Sequence, residues 1–182
     1  MTVCRNGRHP MELDTAIRSR RSIRSYTSKD VPQILIDEAL ELASWAPSAG
    51  NLHSRDFIVI RNQQTKDDLV VAALGQEFIA QAAVVIVAIA NLERVAQYGH
   101  RGKDLFAIQD SAAAVQNLML ALHERGLGTV WVGSFDEKKA RRVLGLPAHA
   151  RPVAILPIGY PAENPEPRMH LPPKEYIHLE EW

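Results

Sequence analysis

The sequence predicts a single α+β domain, residues 1–182, in which helices flank a central sheet that is antiparallel or mixed. Two helical patterns precede the first strand pattern, and long helical stretches separate the few strands that follow, so regular βαβ alternation is absent. Hydrophobic residues make up 46% and charged residues 23% of the chain, which is typical of a soluble globular protein. A chain of this size buries ~70% of its unfolded surface, which provides a core without disulfides or a structural metal.

The individual elements are predicted from apolar periodicity, capping residues and turn residues. Helices are predicted at residues 11–20, 30–44, 65–73, 104–125 and 136–145. In the second helix, the residues expected to point inward are Ile34, Leu35, Ala39, Leu42 and Ala43. Strands are predicted at residues 57–60, 84–90, 129–132 and 153–158. Residues 1–10 are expected to be flexible, and the proline-rich residues 161–182 are expected to form an extended tail that reaches across another surface.

Charge and cysteine content argue against several classes of protein. The net charge is zero, but residues 1–29 carry seven basic against two acidic side chains, and residues 162–182 carry five acidic against two basic ones. A nucleic-acid binder usually has a broad positive face, whereas a small basic cluster suits a small anion. The single cysteine, Cys4, excludes an intrachain disulfide and a multi-cysteine metal site, and the scattered histidines argue against metal chemistry.

Membrane and nucleotide-binding signals are weak in this sequence. The longest wholly apolar run, Ala82–Ala90, is too short to cross a bilayer, and the N-terminus lacks the apolar segment of a secretory signal. The glycine pair at Gly126 and Gly128 fails as a dinucleotide fingerprint, because Trp131 stands at the third glycine position. We therefore expect a cytoplasmic protein that binds neither a membrane nor a nucleic acid.

A basic segment, Ser19–Ser25, carries the first candidate site. If this stretch is extended, the side chains of Arg20, Ser22 and Arg24 point the same way, because side chains alternate along a strand. Two guanidinium groups and a hydroxyl then suit a phosphate, whose oxygens arginine can bind in pairs. The alternative is that these arginines complement the dipole at the end of the first helix.

Two glycine-containing loops carry the other candidate sites. The segment Ala46–Asn51 combines small residues at a helix end, which allows a flat ligand to approach the backbone closely. The segment Arg125–Gly133 is a glycine-punctuated turn that leads into a strand. The alternative for each segment is an ordinary connection between elements, with Trp131 in the core in the second case.

Together the three segments resemble the nitroreductase family of flavoproteins. The resemblance extends from RRSIR through WAPSAGN and QDSAAAVQNLMLALHERGLGTVWVG to PVAILPIGYP and the tail, in the same order and spacing. It implies a nitroreductase-like sandwich and a noncovalently bound FMN. The residues that it assigns to the phosphate are Arg20, Arg21, Ser22 and Arg24, with Arg168 and His170 of the tail.

The resemblance also assigns residues near the flavin ring. The loop beside the ring, contributed by the other subunit, corresponds to Pro47, Ser48, Ala49 and Asn51. Backbone donors near the reactive edge of the ring correspond to Val132 and Gly133. After Asn51 the sequence departs from the family pattern, and His53 and Arg55 are candidates for substrate contact, with a solvated loop as the alternative for both.

By this resemblance the protein is an FMN-dependent NAD(P)H oxidoreductase that acts as a homodimer with shared active sites. Electrons pass by ping-pong kinetics to a nitroaromatic, a quinone or a similar acceptor, and no side chain is nominated as catalytic acid or base. The dimer is also expected because the apolar face of the helix at residues 104–125 exceeds the need of one internal core. The alternatives are reductive dehalogenation, oxygen-dependent flavin breakdown, or a non-enzymatic flavin carrier or redox sensor.

Overall fold

Within residues 11–182, which the computed structural model describes, the sheet has four strands that each run antiparallel to their neighbours. The flexibility expected of residues 1–10 lies outside the described residues. The strands are β1 (Arg55–Ile60), β2 (Val84–Asn91), β3 (Gly128–Thr129) and β4 (Ala150–Gly159), in the spatial order β1-β2-β4-β3. The predicted α+β class with a central antiparallel sheet is therefore confirmed.

Helices and short helical turns connect these strands. The helices are α1 (Leu13–Ser19), α2 (Gln33–Ser44), α3 (Gln63–Ala72), α4 (Phe78–Gln81), α5 (Gly99–Arg101), α6 (Ala107–Glu124) and α7 (Glu137–Val143). Short 3-10 turns lie at Ala49–Asn51, Ala96–Tyr98 and Pro173–Glu175, and a π-helical turn, Gly102–Phe106, leads into α6. The sequence analysis missed α4 and α5, because elements of three or four residues are too short to show a period.

The central strand β2 divides the core into two layers. Successive side chains of a strand point to opposite faces of the sheet. Val84, Ile86 and Ala88 accordingly pack with α2 and α6, whereas Val85 and Val87 pack with α3, α4 and α7. All eight residues of β2 are buried, which explains why this strand reads as one continuous apolar run.

Helix α6 is the central helix of the first layer, where it contacts α2 and β2. Nine of its residues are buried inside the chain. One helical stretch of the described residues, Ala96–Glu124, is long and apolar enough to cross a membrane by length and composition, and half of its most apolar part is buried in the core. The apolar face that suggested a surplus for dimerisation is thus used in part within one chain.

The predicted inward face of α2 is partly wrong. Ile34 is 60% exposed and Leu42 is 44% exposed, whereas Ile36, Ala39 and Ala43 are buried against the sheet. The helix begins at Gln33, directly after Pro32, and the buried residues follow one another at helical spacings of three and four. Ile34 and Leu42 therefore lie on a face that nothing within residues 11–182 covers fully.

Candidate functional site

The arginine strand, residues 20–24, leaves α1 in an extended conformation and pairs with the edge strand β3. Ser22 forms a parallel bridge with Thr129, whose carbonyl accepts a 3.1 Å hydrogen bond from the Ile23 N–H. A Cβ on Gly128 would lie 2.8 Å from Cγ1 of Ile23, so this close approach requires a glycine. The backbone thus has the extended form that a common direction for Arg20, Ser22 and Arg24 requires.

The arginine strand and the tail enclose a cavity of about 490 Å³, called the arginine cavity below. It brings together the six residues that the resemblance assigned to a phosphate: Arg20, Arg21, Ser22, Arg24, Arg168 and His170. Two carboxylates, those of Glu163 and Glu166, also line it. Four guanidinium groups outnumber the two carboxylates, so the arginine cavity attracts anions.

Arg20 is the residue whose contacts point most directly to a missing ligand. Its Nη1 atom is buried and has no hydrogen-bond partner among the described residues. Burial, and then repulsion by Arg21, lower the pKa of the Arg20 guanidinium. A buried charged donor without a partner is costly, so the cavity fits a group with several anionic oxygens, such as the phosphate of FMN.

Arg21 differs from its neighbour, because it bonds to the end of α1. Its Nη1 atom donates to the carbonyl oxygens of Arg18 at 2.7 Å and Arg20 at 3.0 Å. This is the helix-end role that the sequence analysis kept as the alternative for the basic segment. Arg21 therefore combines a place in the arginine cavity with a contact that stabilises α1.

The tail begins as an antiparallel partner of the residues that follow the arginine strand. Tyr26 pairs with Pro161, and the Ala162 N–H donates to the Ser25 carbonyl at 2.9 Å. The Glu163 carboxylate then accepts from the N–H groups of Arg24 and Ser25. The first part of the tail therefore lies against its own chain, and the predicted reach of the tail across another surface stays a prediction.

The PSAGN loop, residues 47–51, is held by a buried carboxylate that the sequence analysis missed. Asp110 of α6 is 5% exposed and accepts hydrogen bonds from the Ala49 N–H at 2.9 Å and the Ser54 hydroxyl at 2.5 Å. The available signal was an acidic residue on the apolar face of a long helix, where burial demands partners. Asp110 thereby joins the PSAGN loop and Ser54 to helix α6.

Arg55 is neither a solvated loop residue nor exposed to a substrate, so the structure corrects both interpretations of it. It is 6% exposed, and its guanidinium donates to the carbonyls of Ser44 at 2.7 Å and Ala46 at 2.8 Å, with a longer bond of 3.3 Å to Pro47. Burial lowers the pKa of Arg55, and the nearby Asp110 carboxylate opposes that shift. Arg55 therefore stabilises the backbone between α2 and the PSAGN loop.

Three residues of this region adopt positive φ angles, which side chains rarely allow. These are Gly50 at 56°, Asn51 at 57° and His53 at 49°. A Cβ at Gly50 would overlap the Tyr98 hydroxyl. His53 itself is exposed, and its carbonyl accepts a 2.6 Å hydrogen bond from Arg94. Its predicted contact with a substrate stays a prediction.

The two predicted residues of the turn after α6, Val132 and Gly133, differ in burial and in backbone hydrogen bonding. The Val132 N–H donates to the Ile155 carbonyl at 3.0 Å, and the Val132 carbonyl accepts from the Ile155 N–H at the same distance. Val132 is therefore not the free backbone donor that the prediction required, because an isolated bridge engages its backbone. Gly133 is exposed, and its assignment as a donor stays a prediction.

Large apolar side chains are exposed on α1, on α2 and in the tail. Those on the helices and the residue after α2 are Leu13, Ile17, Ile34, Leu42 and Trp45. Those in the tail are Met169, Leu171, Tyr176, Ile177, Leu179 and Trp182. Exposed apolar side chains in such numbers are typical of a protein that another subunit or protein covers.

Acidic, histidine and cysteine side chains do not cluster as metal ligands in residues 11–182. The described part of the chain contains no group of three or more such residues that could hold an ion. His123 lies close to Ser19, at 2.7 Å from Nε2 to Oγ, but next to Arg20 and Arg21 rather than to further ligands.

Comparison with known proteins adds independent information on this arrangement. The family model described as the nitroreductase family matches residues 17–76 and 70–160. The chain is 37% identical over 190 residues to an NADH dehydrogenase of Thermus thermophilus, which covers 89% of the chain and 93% of that protein. It is 28% identical over 183 residues to an FMN reductase [NAD(P)H] of Bacillus subtilis, covering 93% and 74%, respectively. The solved structure of NfrA1 nitroreductase from B. subtilis matches with a TM-score of 0.84 and 25% identity, covering 92% of the chain and 74% of that structure.

Proposed function

The chain belongs to the nitroreductase family, and we propose that it is an FMN-dependent oxidoreductase that transfers electrons from NAD(P)H to a nitroaromatic, a quinone or a similar acceptor. The observation that carries this function is the arginine cavity, which Arg20 lines together with the other five proposed phosphate-binding residues. The buried Nη1 atom of Arg20 has no hydrogen-bond partner among the described residues. The relative named FMN reductase supports the choice of flavin. FMN, when bound, supplies the two-electron chemistry, so the protein needs to bind and orient rather than to provide an acid or base.

The residues of the chain take distinct roles in this proposal. Arg20, Ser22 and Arg24 hold the phosphate from the arginine strand, and Arg168 closes the same cavity from the tail. Asp110 and Arg55 keep the PSAGN loop in one conformation, which favours a flat ligand on its exposed side. A loop that is rigid before binding loses little conformational entropy when the ligand arrives.

We also propose that the functional unit is a homodimer of a soluble, cytoplasmic protein. The exposed apolar residues of α1, α2 and the tail supply a surface for the second subunit, and obligate interfaces of this kind bury ~2,000 Å² or more. The PSAGN loop then serves the flavin of the partner subunit. A folded, flavin-loaded monomer of about 20.3 kDa in light scattering at micromolar concentration would contradict this assembly.

The proposed kinetics are ping-pong, with NAD(P)H and the acceptor binding in turn to one site. The sequence has no dinucleotide fingerprint, which argues against a second nucleotide site, and the two substrates need not be bound together. Double-reciprocal plots should give parallel lines, and excess acceptor should compete with NAD(P)H. Intersecting lines with a ternary-complex signal in stopped flow would contradict the mechanism.

The function is tested by flavin content and by reduction of the bound flavin. Purified protein should release one FMN per chain on denaturation, and apoprotein should bind FMN but not FAD. An anaerobic titration with NADH and with NADPH should bleach the bound flavin with at least one nucleotide. Binding of FAD in place of FMN would contradict the phosphate site, and FMN that neither nucleotide bleaches would favour a flavin carrier.

A further inference from the structure

We propose that Glu163 is a positioning residue that joins the two walls of the arginine cavity and holds them in register for a phosphate monoester. One wall is the arginine strand, and the other is the tail segment that carries Arg168 and His170. The inference rests on the proposed function, because it concerns the site where the FMN phosphate is proposed to bind. It adds a residue that neither a basic charge nor the family resemblance identifies.

The contacts of Glu163 continue a backbone ladder that would otherwise end. The Thr27 N–H donates to the Tyr160 carbonyl and the Ala162 N–H donates to the Ser25 carbonyl, each at 2.9 Å. At the next position the Glu163 carboxylate, and not a backbone carbonyl, is the acceptor. Its Oε1 atom accepts from the N–H groups of Arg24 and Ser25, the latter at 3.1 Å.

This bond determines the position of the tail at the point where its cationic residues enter the cavity. Arg168 and His170 follow Glu163 by five and seven residues, and Pro165 lies between Glu163 and Arg168. Without an acceptor at Glu163, two backbone donors at the cavity wall lose this partner, and a hydrogen-bonded connection between the two walls is broken shortly before Arg168. Bonds from a carboxylate to backbone N–H groups are among the stronger hydrogen bonds in proteins, so a single side chain can hold both walls.

Glu166 provides a matched control within the same cavity. Its carboxylate lines the cavity as that of Glu163 does, but the Arg24 and Ser25 N–H groups donate to Glu163. Removing either carboxylate changes the charge of the cavity equally. Only removal of the acceptor at Glu163 should break the hydrogen bonds between the two walls. Comparison of the Glu163 and Glu166 variants therefore separates the effect of these hydrogen bonds from the effect of the lost negative charge.

The experiment measures dissociation constants of FMN and riboflavin, by quenching of flavin fluorescence, for apoprotein of the full chain. Glu163→Gln keeps an acceptor oxygen, Glu163→Ala removes it, and Glu163→Asp keeps the charge but shortens the reach. We expect E163A and E163D to bind FMN at least tenfold more weakly than E163Q, while riboflavin affinity changes less than twofold. E166A and E166Q should differ from each other less than twofold.

A second readout follows the ladder itself without any flavin. Hydrogen exchange of the Arg24 and Ser25 amides should accelerate at least tenfold in E163A and stay close to wild type in E163Q. Should E163A fail to fold, E163D provides the same comparison for both measurements. Equal FMN affinity of E163Q, E163A and E163D, or unchanged amide exchange, would overturn the proposed role of Glu163. Neither result would contradict the phosphate site itself. A wild-type chain that binds FMN no more tightly than riboflavin would overturn the phosphate site and this inference with it.

Discussion

The arginine cavity and the support of the PSAGN loop both gather charged side chains beside the end of a helix, but they differ in how those charges are satisfied. Beside α2, the guanidinium of Arg55 donates to carbonyls of its own chain, and the nearby Asp110 carboxylate holds the loop. Beside α1, Arg20 keeps a buried nitrogen without a partner among residues 11–182. A satisfied charge stabilises the fold, whereas an unsatisfied one is available to a ligand.

Removal of Arg55 should have the largest effect on stability. Arg55→Met removes the donor from the carbonyls of Ser44 and Ala46 and removes the cation that interacts with the Asp110 carboxylate, so we expect a loss of about 3 kcal/mol in the free energy of unfolding. Urea unfolding of the apoprotein measures this loss. Arg142→Met, at an exposed arginine of α7, is the control and should change stability by less than ~0.5 kcal/mol. Equal stability of the two variants would contradict the structural role of Arg55.

Removal of Arg20 should act on binding instead of stability. Arg20→Ala should weaken FMN binding by about 2–3 kcal/mol, because a charge-assisted contact to phosphate is lost. The apoprotein should unfold at the same or a higher urea concentration, since a buried charge without a partner disappears. Titration and urea unfolding are compared with those of Arg18→Ala, at an exposed arginine of the preceding helix α1. An unchanged dissociation constant would leave Arg20 with only a helix-end role.

A smaller effect should appear in the pH dependence of stability near the arginine cavity. Burial, and then repulsion by Arg20 and Arg21, lower the pKa of His123 from its ordinary value of 6.5. The unfolded chain therefore binds this proton more tightly, so the contribution of His123 to stability is present above pH 6.5 and is lost as the pH falls through the folded-state pKa.

The measurement is urea unfolding of the apoprotein between pH 7.5 and 5. His123→Gln should flatten the fall in stability over this range. Arg20→Ala should flatten it partly, because one of the two repelling charges is removed. A pH dependence that neither substitution alters would show that the arginine cavity does not act on His123.

The sequence predicted the residues of the arginine cavity but not those that support the PSAGN loop, and the difference has physical reasons. The arginine strand was recognisable because its side chains are charged, adjacent in sequence and suited to one ligand. Asp110 and Arg55 depend on contacts between distant elements, and their burial is invisible to local periodicity. Similarly, Ile34 and Leu42 fit an inward helical face by spacing, but only the position of the sheet decides which face of α2 is covered.

The hydrogen bonds between residues 24–27 and residues 160–163 join two segments that are synthesised at different times. Ser25 and Glu163 are separated by 138 positions, so one wall of the arginine cavity is synthesised well before the other. A nascent chain that lacks residues 163–170 has no complete cavity, however much of its sheet has formed. The cofactor is therefore expected to bind only once residues 163–170 have left the ribosome, and chains truncated before residue 163 should be colourless.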